Sequence, residues 1–207
     1  MARRIKEEAI VHQERIAKGA MTVFANKGIA NTTMDDIAKE AGYGKATLYV
    51  YFKNKEDIVS FLSLYSMRIL RDSLKEAVEQ SGTTKDIFLE ICNSIEKFYE
   101  EYPDFFRRTI KYIEINTTDD GSWLSQTYQV GEEINQIIYE FLEKGVQKGD
   151  LVQTDNYMET ILNMWGMVSG IVELASEKEE YIRIAIATDR GNFLKRGFEN
   201  IYRVIAR

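Results

Sequence analysis

The chain has 207 residues, of which 44% are hydrophobic and 29% charged, and its formal net charge at pH 7 is −6. This composition is typical of a globular protein with a buried core, and the single Cys92 excludes an intramolecular disulfide and a cysteine-rich metal site. The N-terminal residues lack the apolar core of a secretory signal, and the most apolar run, 161–175, is too short for a membrane span. We therefore expect a cytoplasmic protein with no membrane partner.

The charge is unevenly distributed along the chain. Residues 1–55 carry ten Lys and Arg against six Asp and Glu, whereas residues 56–207 carry seventeen against twenty-seven. A basic segment ahead of an acidic body is typical of a protein that binds a polyanion. Ordinary scatter in composition is the alternative, and charge alone leaves it open.

Proline is almost absent: Pro103 is the only one. Together with a helical spacing of the apolar residues, this favours long helices over turn-rich strands, so we predict an all-α fold of about nine helices. The first helix is expected at about residues 6–26. Its apolar face combines Ile16, Ala20, Val23 and Phe24, and Gly28 provides the C-terminal stop.

The next stretch, NTTMDDIAKEAG, predicts a short second helix. Thr32 or Thr33 is a natural N-cap, with Asp35 or Asp36 three residues later as in a capping box, and Gly42 ends the helix. A third short helix begins almost at once. Two short helices joined by a turn that contains glycine, with a longer helix before them, have the layout of a helix-turn-helix at about residues 32–51.

The third helix lies in the stretch GYGKATLYVYFKNK, which mixes aromatic residues with lysines. Leu48 and Phe52 lie four residues apart and are expected to anchor the helix to its core. Plain packing of the tyrosines is one interpretation, but two helical turns cannot bury every ring. The outward side chains are suited to phosphates and base edges, so we predict DNA contacts from Thr33, Tyr43, Gly44, Lys45, Ala46, Thr47, Tyr49, Val50, Tyr51 and Lys55.

The remainder of the chain predicts a larger helical domain at residues 55–207, after a helix-turn-helix domain at residues 1–54. Its helices are expected at about residues 55–80, 84–102, 103–116, 123–148, 156–176 and 180–206.

Patterns of catalytic residues are missing from the sequence. The one histidine, His12, lies in the basic N-terminal arm, and no HExxH, CxxC or GxSxG pattern occurs. Acidic pairs such as Asp35 and Asp36 are sequence neighbours, which diverge by about 100° on a helix. We therefore expect neither an enzyme nor a cofactor.

The run TTMDDIAKEAGYGKATLYVYFKNKEDIV resembles the N-terminal domain of the TetR family of bacterial transcriptional regulators. The residues in register with the pattern of that family are Thr33, Asp36, Ile37, Ala38, Ala41, Gly42, Lys45, Thr47, Leu48, Tyr49, Tyr51, Phe52, Asn54, Lys55 and Glu56. The chain departs from the pattern with Tyr43-Gly44 in place of Val-Ser, with Ala46 in place of Gly, and with Val50 in place of an aromatic residue. These changes lie near the DNA side and affect the preferred operator.

The resemblance implies a ligand-responsive, DNA-binding transcriptional regulator. It implies a homodimer that places two recognition helices in successive major grooves of a roughly palindromic, double-stranded operator. It also implies that the C-terminal domain binds a small hydrophobic effector, which releases a repressor from DNA. The alternative is an all-helical small-molecule or protein-binding module with a purely structural helix-turn-helix.

The resemblance further implies dimerisation through the last two helices. Small residues at Gly166, Ser169 and Gly170 would let a partner helix approach, and a four-helix bundle of two chains would use the apolar residues Ile182, Ile186, Phe193, Phe198 and Ile201. Packing of these residues within one chain is the alternative.

The effector pocket is expected among the aromatic residues of the larger domain. An apolar cavity with a few polar groups is the usual small-molecule site. The predicted ligand-binding residues are Phe106, Tyr112, Trp123, Tyr128, Met164 and Trp165. Each residue taken singly also fits an ordinary core position.

Overall fold

The computed structural model describes residues 8–111 and 121–207, without the side chains of residues 110 and 111. Within these ranges the chain forms α1 (Ala9–Lys27), α2 (Met34–Glu40), α3 (Lys45–Tyr51), α4 (Lys55–Glu79), α5 (Thr84–Glu101), α6 (Pro103–Lys111), α7 (Trp123–Lys148), α8 (Tyr157–Glu177), α9 (Glu179–Ile186) and α10 (Arg190–Ile205). The only β pairing in the described residues is an isolated bridge between Leu151 and Ala206. The prediction of an all-α fold is confirmed.

The chain packs as two compact units, the first ending at Tyr65 and the second running from Ser66 to Arg207. The division falls inside α4, whereas the sequence placed a boundary after residue 54. The start of α4 belongs to the first unit because its apolar side chains complete that core. Phe61 meets the ring of Phe52 edge-on, with the ring centroids 5.4 Å apart, and Ile58 is fully buried.

The first unit is built on the apolar face of α1. Ile16 and Ala20 of this face are fully buried, as are Ile37 of α2 and Leu48 of α3. Helix α1 ends at Gly28, which has φ 77° and donates its N–H to Phe24 O at 2.8 Å. A positive φ favours glycine, so the sequence signal for this helix end is confirmed.

The second unit is centred on α8, which packs against α5, α7 and α10. Its core contains the fully buried side chains of Phe88, Val172 and Phe198. Helix α7 has the bounds that the sequence predicted, because Ser122 caps its first turn and Gly149 ends it in the left-handed conformation at φ 80°.

Among the described helices, none combines the length and apolar character that a membrane crossing requires.

The predicted last helix is divided into α9 and α10. Ala187 has φ 49° and ψ 45°, a left-handed conformation that interrupts the helix. Asp189 then caps α10, since its carboxylate accepts a hydrogen bond from Asn192 N at 2.7 Å. Aspartate favours an N-cap over a helix interior because its side chain competes for backbone N–H groups. The predicted continuation of α6 to residue 116 lies partly outside the described residues.

Candidate DNA-binding surface and effector cavity

Helix α2 begins with the capping box that the sequence predicted, and Thr33 is its N-cap. The Thr33 hydroxyl accepts a hydrogen bond from Asp36 N at 3.2 Å, and Thr33 N donates to the Asp36 carboxylate at 2.8 Å. Lys27 also pairs with that carboxylate, at 2.5 Å. The Lys27 ammonium, and next the Thr33 hydroxyl, hold the pKa of Asp36 well below its ordinary value. The predicted DNA contact Thr33 therefore has a structural role as a cap.

The turn between α2 and α3 contains a glycine with a positive φ and a backbone hydrogen bond that ends α2. Gly42 has φ 71°, and Tyr43 N donates to Ala38 O at 2.9 Å, which closes the end of α2. Gly44 is the N-cap of α3, and no side chain caps this end. The loss of a serine cap at this position, noted from the sequence, therefore leaves the first turn of α3 without a side-chain acceptor.

Helix α3 divides its side chains between a core face and an open face. Leu48 is fully buried and Phe52 is 1% exposed, as predicted. On the other side, Val50 is 75% exposed and Tyr49 is 48% exposed. Gly44, Lys45, Ala46 and Thr47 are exposed as well. Lys45 pairs with Asp35 of α2 at 2.8 Å, and this pairing raises the pKa of Lys45.

Tyr43 and Tyr51 differ from the other predicted DNA contacts because both are half-buried against His12 of α1. His12 Nδ1 and the Tyr43 hydroxyl form a hydrogen bond at 2.8 Å. The imidazole also stacks on the Tyr51 ring, with centroids 5.0 Å apart and planes 25° from parallel. Sequence reasoning did not find His12, because the residues that it contacts are 31 and 39 positions away.

Lys55, another predicted DNA contact, bonds to backbone carbonyls of its own chain. Its ammonium donates hydrogen bonds to Ile29 O at 2.7 Å, to Thr32 O at 3.0 Å and to Ala30 O at 3.2 Å. An ammonium has three protons, so these three carbonyls use its donor capacity. Lys55 thus fastens the loop between α1 and α2 to the start of α4.

A cavity of about 460 Å³ lies within the second unit. Helices α4, α5, α6, α7 and α8 all contribute to its wall, which includes three of the predicted ligand-binding residues, Tyr128, Met164 and Trp165. Phe106 lies behind this wall, fully buried, with its ring centroid 6.3 Å from that of Trp165. Trp123 is half-buried in the first turn of α7 and is not among the lining residues, and Tyr112 lies outside the described residues.

The cavity wall is apolar on α5 and α8 and carries polar groups on α6 and α7. Thr109, Thr127, Tyr128, Glu132 and Asn135 supply these groups, and Asn135 Nδ2 donates to the Glu132 carboxylate at 3.2 Å. Among the lining residues that the structure describes, Glu132 is the only Asp or Glu, and there is no Lys, Arg or His.

The lone cysteine, Cys92, also lines the cavity. It is fully buried, and burial raises the pKa of its thiol, which therefore stays protonated. Cys92 therefore serves as a small apolar residue of the cavity wall.

The outer face of α8 carries an exposed stripe of apolar and small residues at a spacing of four. Leu162 is 53% exposed and Leu174 is 49% exposed, and a Cβ added at Gly166 or Gly170, which lie between them, would meet no atom within 4 Å. Residues four apart share one helix face. This face of α8 is therefore open in the single chain.

Most of the apolar residues assigned to a dimer bundle pack within the chain instead. Ile182, Phe198 and Ile201 are between 2% and 8% exposed, and Ser169 is also buried. Ile186 keeps 54% of its surface exposed. Packing within one chain, the alternative interpretation, therefore applies to Ile182, Phe198 and Ile201.

The arrangement of α2 and α3 in the first unit is typical of one class of protein. A seven-residue helix with a buried anchor residue and an exposed face, joined to another short helix by a glycine turn, is the helix-turn-helix of DNA-binding transcriptional regulators. Residues 16–60 match the family described as bacterial regulatory proteins, tetR family. The first unit therefore carries the N-terminal domain of the TetR family of transcriptional regulators, as the sequence motifs predicted.

Similarity to characterised regulators extends over most of the chain. The HTH-type transcriptional regulator TtgR of Pseudomonas putida is 26% identical over 202 residues, which cover 88% of this chain and 93% of that protein. The HTH-type negative transcriptional regulator IcaR of the biofilm operon icaADBC, from Staphylococcus aureus (strain Newman), is 23% identical over 172 residues, with coverages of 81% and 89%.

Solved structures share the fold. The fatty acid degradation regulator FadR from Bacillus halodurans superposes with a TM-score of 0.69 at 19% identity, covering 96% of this chain and 97% of that one. The transcriptional regulator FadR from Bacillus subtilis, in complex with stearoyl-CoA, gives a TM-score of 0.65 at 19% identity, with coverages of 91% and 97%. At this identity the similarity establishes the fold alone.

Proposed function

We propose that this protein is a repressor that leaves its operator when a small, mostly apolar effector occupies the cavity of the second unit. The observation that most directly supports this proposal is the cavity, whose volume of about 460 Å³ is in the range of small-molecule sites. Two names support the proposal: IcaR is a negative regulator, and the Bacillus subtilis FadR structure holds stearoyl-CoA. The second name supports a ligand site in this fold and not the head group of the ligand, since stearoyl-CoA carries phosphates. The site of action is the cytoplasm.

The charge of the cavity wall indicates which charge the effector carries. Glu132 places a carboxylate at the polar side of the cavity, and the described lining offers no cation to balance it. A carboxylate or phosphate head group on the effector is therefore repelled, whereas a cationic or neutral hydrogen-bond donor is accepted. The indole of Trp165 offers a π face that favours a cation as well. The proposed effector is a neutral or cationic amphipathic molecule.

The active form in this proposal is a homodimer built on the outer faces of α8 and α10. Exposed apolar surface marks interaction sites, and the glycines at 166 and 170 permit close approach of a partner helix. On α10, Val204 is also apolar and 66% exposed. A twofold dimer would present two copies of α3 to half-sites one helical turn apart, on a roughly palindromic operator.

Helix α4 provides a physical link for the release step. It is unbroken from Lys55 to Glu79, with Ile58 in the core of the first unit and Met67 and Leu74 in the cavity wall. An effector that binds one state of the dimer more tightly shifts the population towards that state. In this proposal the favoured state binds the operator more weakly.

The experiment uses an operator selected from random duplexes with the full-length protein. Fluorescence anisotropy measures operator affinity as candidate effectors are added, and a true effector weakens it by roughly 5- to 150-fold. Gly131→Phe adds a ring at the cavity wall, where a Cβ would meet no atom within 4 Å. This variant should bind the operator normally and fail to release it. Glu140→Gln, on the exposed side of α7, is the matched control.

Two results would overturn the proposal. If no duplex binds at low salt, the DNA-binding surface has been assigned incorrectly, because electrostatic attraction is strongest there. If compounds bind in the cavity but leave operator affinity unchanged, the cavity is not a regulatory site.

A further inference from the structure

We propose that His12 is a positioning residue for DNA binding, which holds both ends of the recognition helix α3 through one imidazole ring. His12 lies in the first turns of α1, outside the helix-turn-helix itself. Its partners include Tyr43, which precedes the N-cap of α3, and Tyr51, the last residue of α3.

The N-terminal end of α3 needs such a support. The helix has only seven residues, and its N-cap Gly44 offers no side chain to the first-turn N–H groups. Short helices have little stability of their own, so their orientation depends on packing. Tyr43 is held at two points, by its N–H on Ala38 O at 2.9 Å and by its hydroxyl on His12 Nδ1 at 2.8 Å.

The C-terminal end of α3 is held by ring stacking. The imidazole lies 5.0 Å from the Tyr51 ring at 25°, and its edge meets the Tyr43 ring at 5.8 Å and 79°. Both arrangements are favourable for aromatic pairs. The same side chain therefore limits tilt at the start of the helix and rotation at its end.

The residues between these two ends are the ones that can reach base edges. Thr47, Tyr49 and Val50 are all exposed, and none shares the helix face of the buried Leu48. Direct readout requires side chains placed within hydrogen-bond distance of particular bases, whereas attraction to the phosphate backbone tolerates small displacements. A loosened α3 should therefore lose discrimination between sequences before it loses general affinity for DNA.

The test measures the affinity of the full-length protein for a selected operator and for a scrambled duplex, each at several salt concentrations. His12→Ala removes both contacts, His12→Phe keeps a ring without the nitrogen, and Tyr43→Phe removes the hydrogen bond from the other side. Thr22→Ala, an exposed and uncharged change on α1, is the control. Circular dichroism and thermal unfolding report the folded fraction of each variant.

We expect His12→Ala to weaken operator binding by about tenfold, and to change scrambled-duplex binding by less than about twofold. The salt dependence should not change, since no phosphate contact is lost. His12→Phe and Tyr43→Phe should each cause a smaller loss, and the double variant should lose no more than either alone, because both remove one hydrogen bond.

Three results would overturn the proposal. Equal losses on both duplexes, with a salt slope reduced by about 1, would mean that His12 contacts phosphate itself. Unchanged operator affinity with a lower unfolding temperature would mean that His12 only stabilises the fold. Additive effects of His12→Phe and Tyr43→Phe would mean that the two residues act separately. If His12→Ala does not fold, the two phenylalanine variants decide the question.

Discussion

Gly19 of α1 lies directly against Ala41, the residue that ends α2. A Cβ built on Gly19 would stand 2.8 Å from the Ala41 Cβ and 2.9 Å from its Cα and N. Real Cβ atoms do not approach backbone this closely, and backbone cannot rotate away as a long side chain does. The absence of a side chain at position 19 is therefore what lets α1 pack against the helix-turn-helix.

The first prediction follows from this contact. Gly19→Ala should destabilise the first unit by about 1–3 kcal/mol, since overpacking forces backbone shifts. Chemical denaturation followed by circular dichroism measures the change. Gly131→Ala is the matched control in a helix interior, because a Cβ there meets no atom within 4 Å. This control should be neutral or stabilising by up to about 1 kcal/mol. A neutral Gly19→Ala would mean that the packing is looser than described.

The second prediction separates two lysines that the sequence placed together at the DNA surface. Lys55→Met should cost about 1.5–3 kcal/mol of stability, because three carbonyls of the loop at 29–32 lose a charged donor. The salt slope of operator binding should stay unchanged. Lys45→Ala should do the reverse: it leaves stability nearly unchanged and makes the slope shallower by about 1.

Denaturation curves and anisotropy titrations at four or more salt concentrations measure both quantities on the same preparations. The two lysines form a matched pair, since each variant removes one positive charge from the first unit. A shallower salt slope for Lys55→Met would restore Lys55 to the set of phosphate contacts.

The third prediction concerns acid stability. The pKa of Asp36 in the folded protein lies below its ordinary value of 3.8, first because of Lys27 and then Thr33. A carboxylate whose pKa is lowered by folding stabilises the folded state at pH values above its pKa in the unfolded chain. This contribution is lost as the pH falls through its pKa in the folded protein. The natural protein should therefore have a larger free energy of unfolding than Asp36→Asn, with the full difference above about pH 5 and a smaller difference below about pH 4.

The capping box of α5 provides an internal comparison. Asp86 has a lowered pKa as well, with the Thr83 hydroxyl as the main cause. Asp86→Asn should show the same pH trend, but salt should weaken the Asp36 effect more, because an ammonium pair is screened more than a neutral hydrogen bond. Denaturation midpoints from about pH 2.5 to 7, at low and high salt, measure both. If the stability difference between the natural protein and either variant grew as the pH fell, the pKa of that aspartate would not be lowered by folding.

The fourth prediction tests the charge of the proposed effector. Decylammonium, decanol and decanoate share one apolar chain and differ in the head group. Decylammonium should bind more tightly than decanoate, and Glu132→Gln should weaken decylammonium binding by roughly fivefold while improving decanoate binding, as expected for one partly screened charge. Quenching of tryptophan fluorescence measures binding, since Trp165 lines the cavity.

Glu140→Gln is the control for this series, because Glu140 is exposed on α7 and pairs with Gln136. Tighter binding of decanoate than of decylammonium would refute the charge preference and leave the cavity proposal intact. Failure of all three compounds to bind would instead count against the cavity as an effector site.

Sequence patterns predicted the local structure of this chain well. The bounds of α7 and the capping box at Thr33 follow from residues within one helical turn of each helix end. The break at Ala187 was missed because no glycine or proline marks it, and only the cap at Asp189 offered a signal.

The functional surface was predicted less completely, for a physical reason. The exposed face of α3 and the anchor Leu48 follow from helical periodicity. The partners of Tyr43, Tyr51 and Lys55 come from distant positions in the chain, and a single sequence does not specify which elements meet. The cavity has the same limit: Phe106 and Trp165 are both aromatic, but packing alone decides that only Trp165 faces the void.

The open face of α3 has an evolutionary consequence. Ala46, Thr47 and Val50 are exposed, and Val50 retains 75% of its surface, so substitutions there disturb little packing. The residues that hold the helix, Leu48 in the core and His12 in our proposal, are separate from those proposed to read DNA. A duplicated copy of this gene can therefore acquire a new target sequence through a few changes on one face without first gaining stability to offset them.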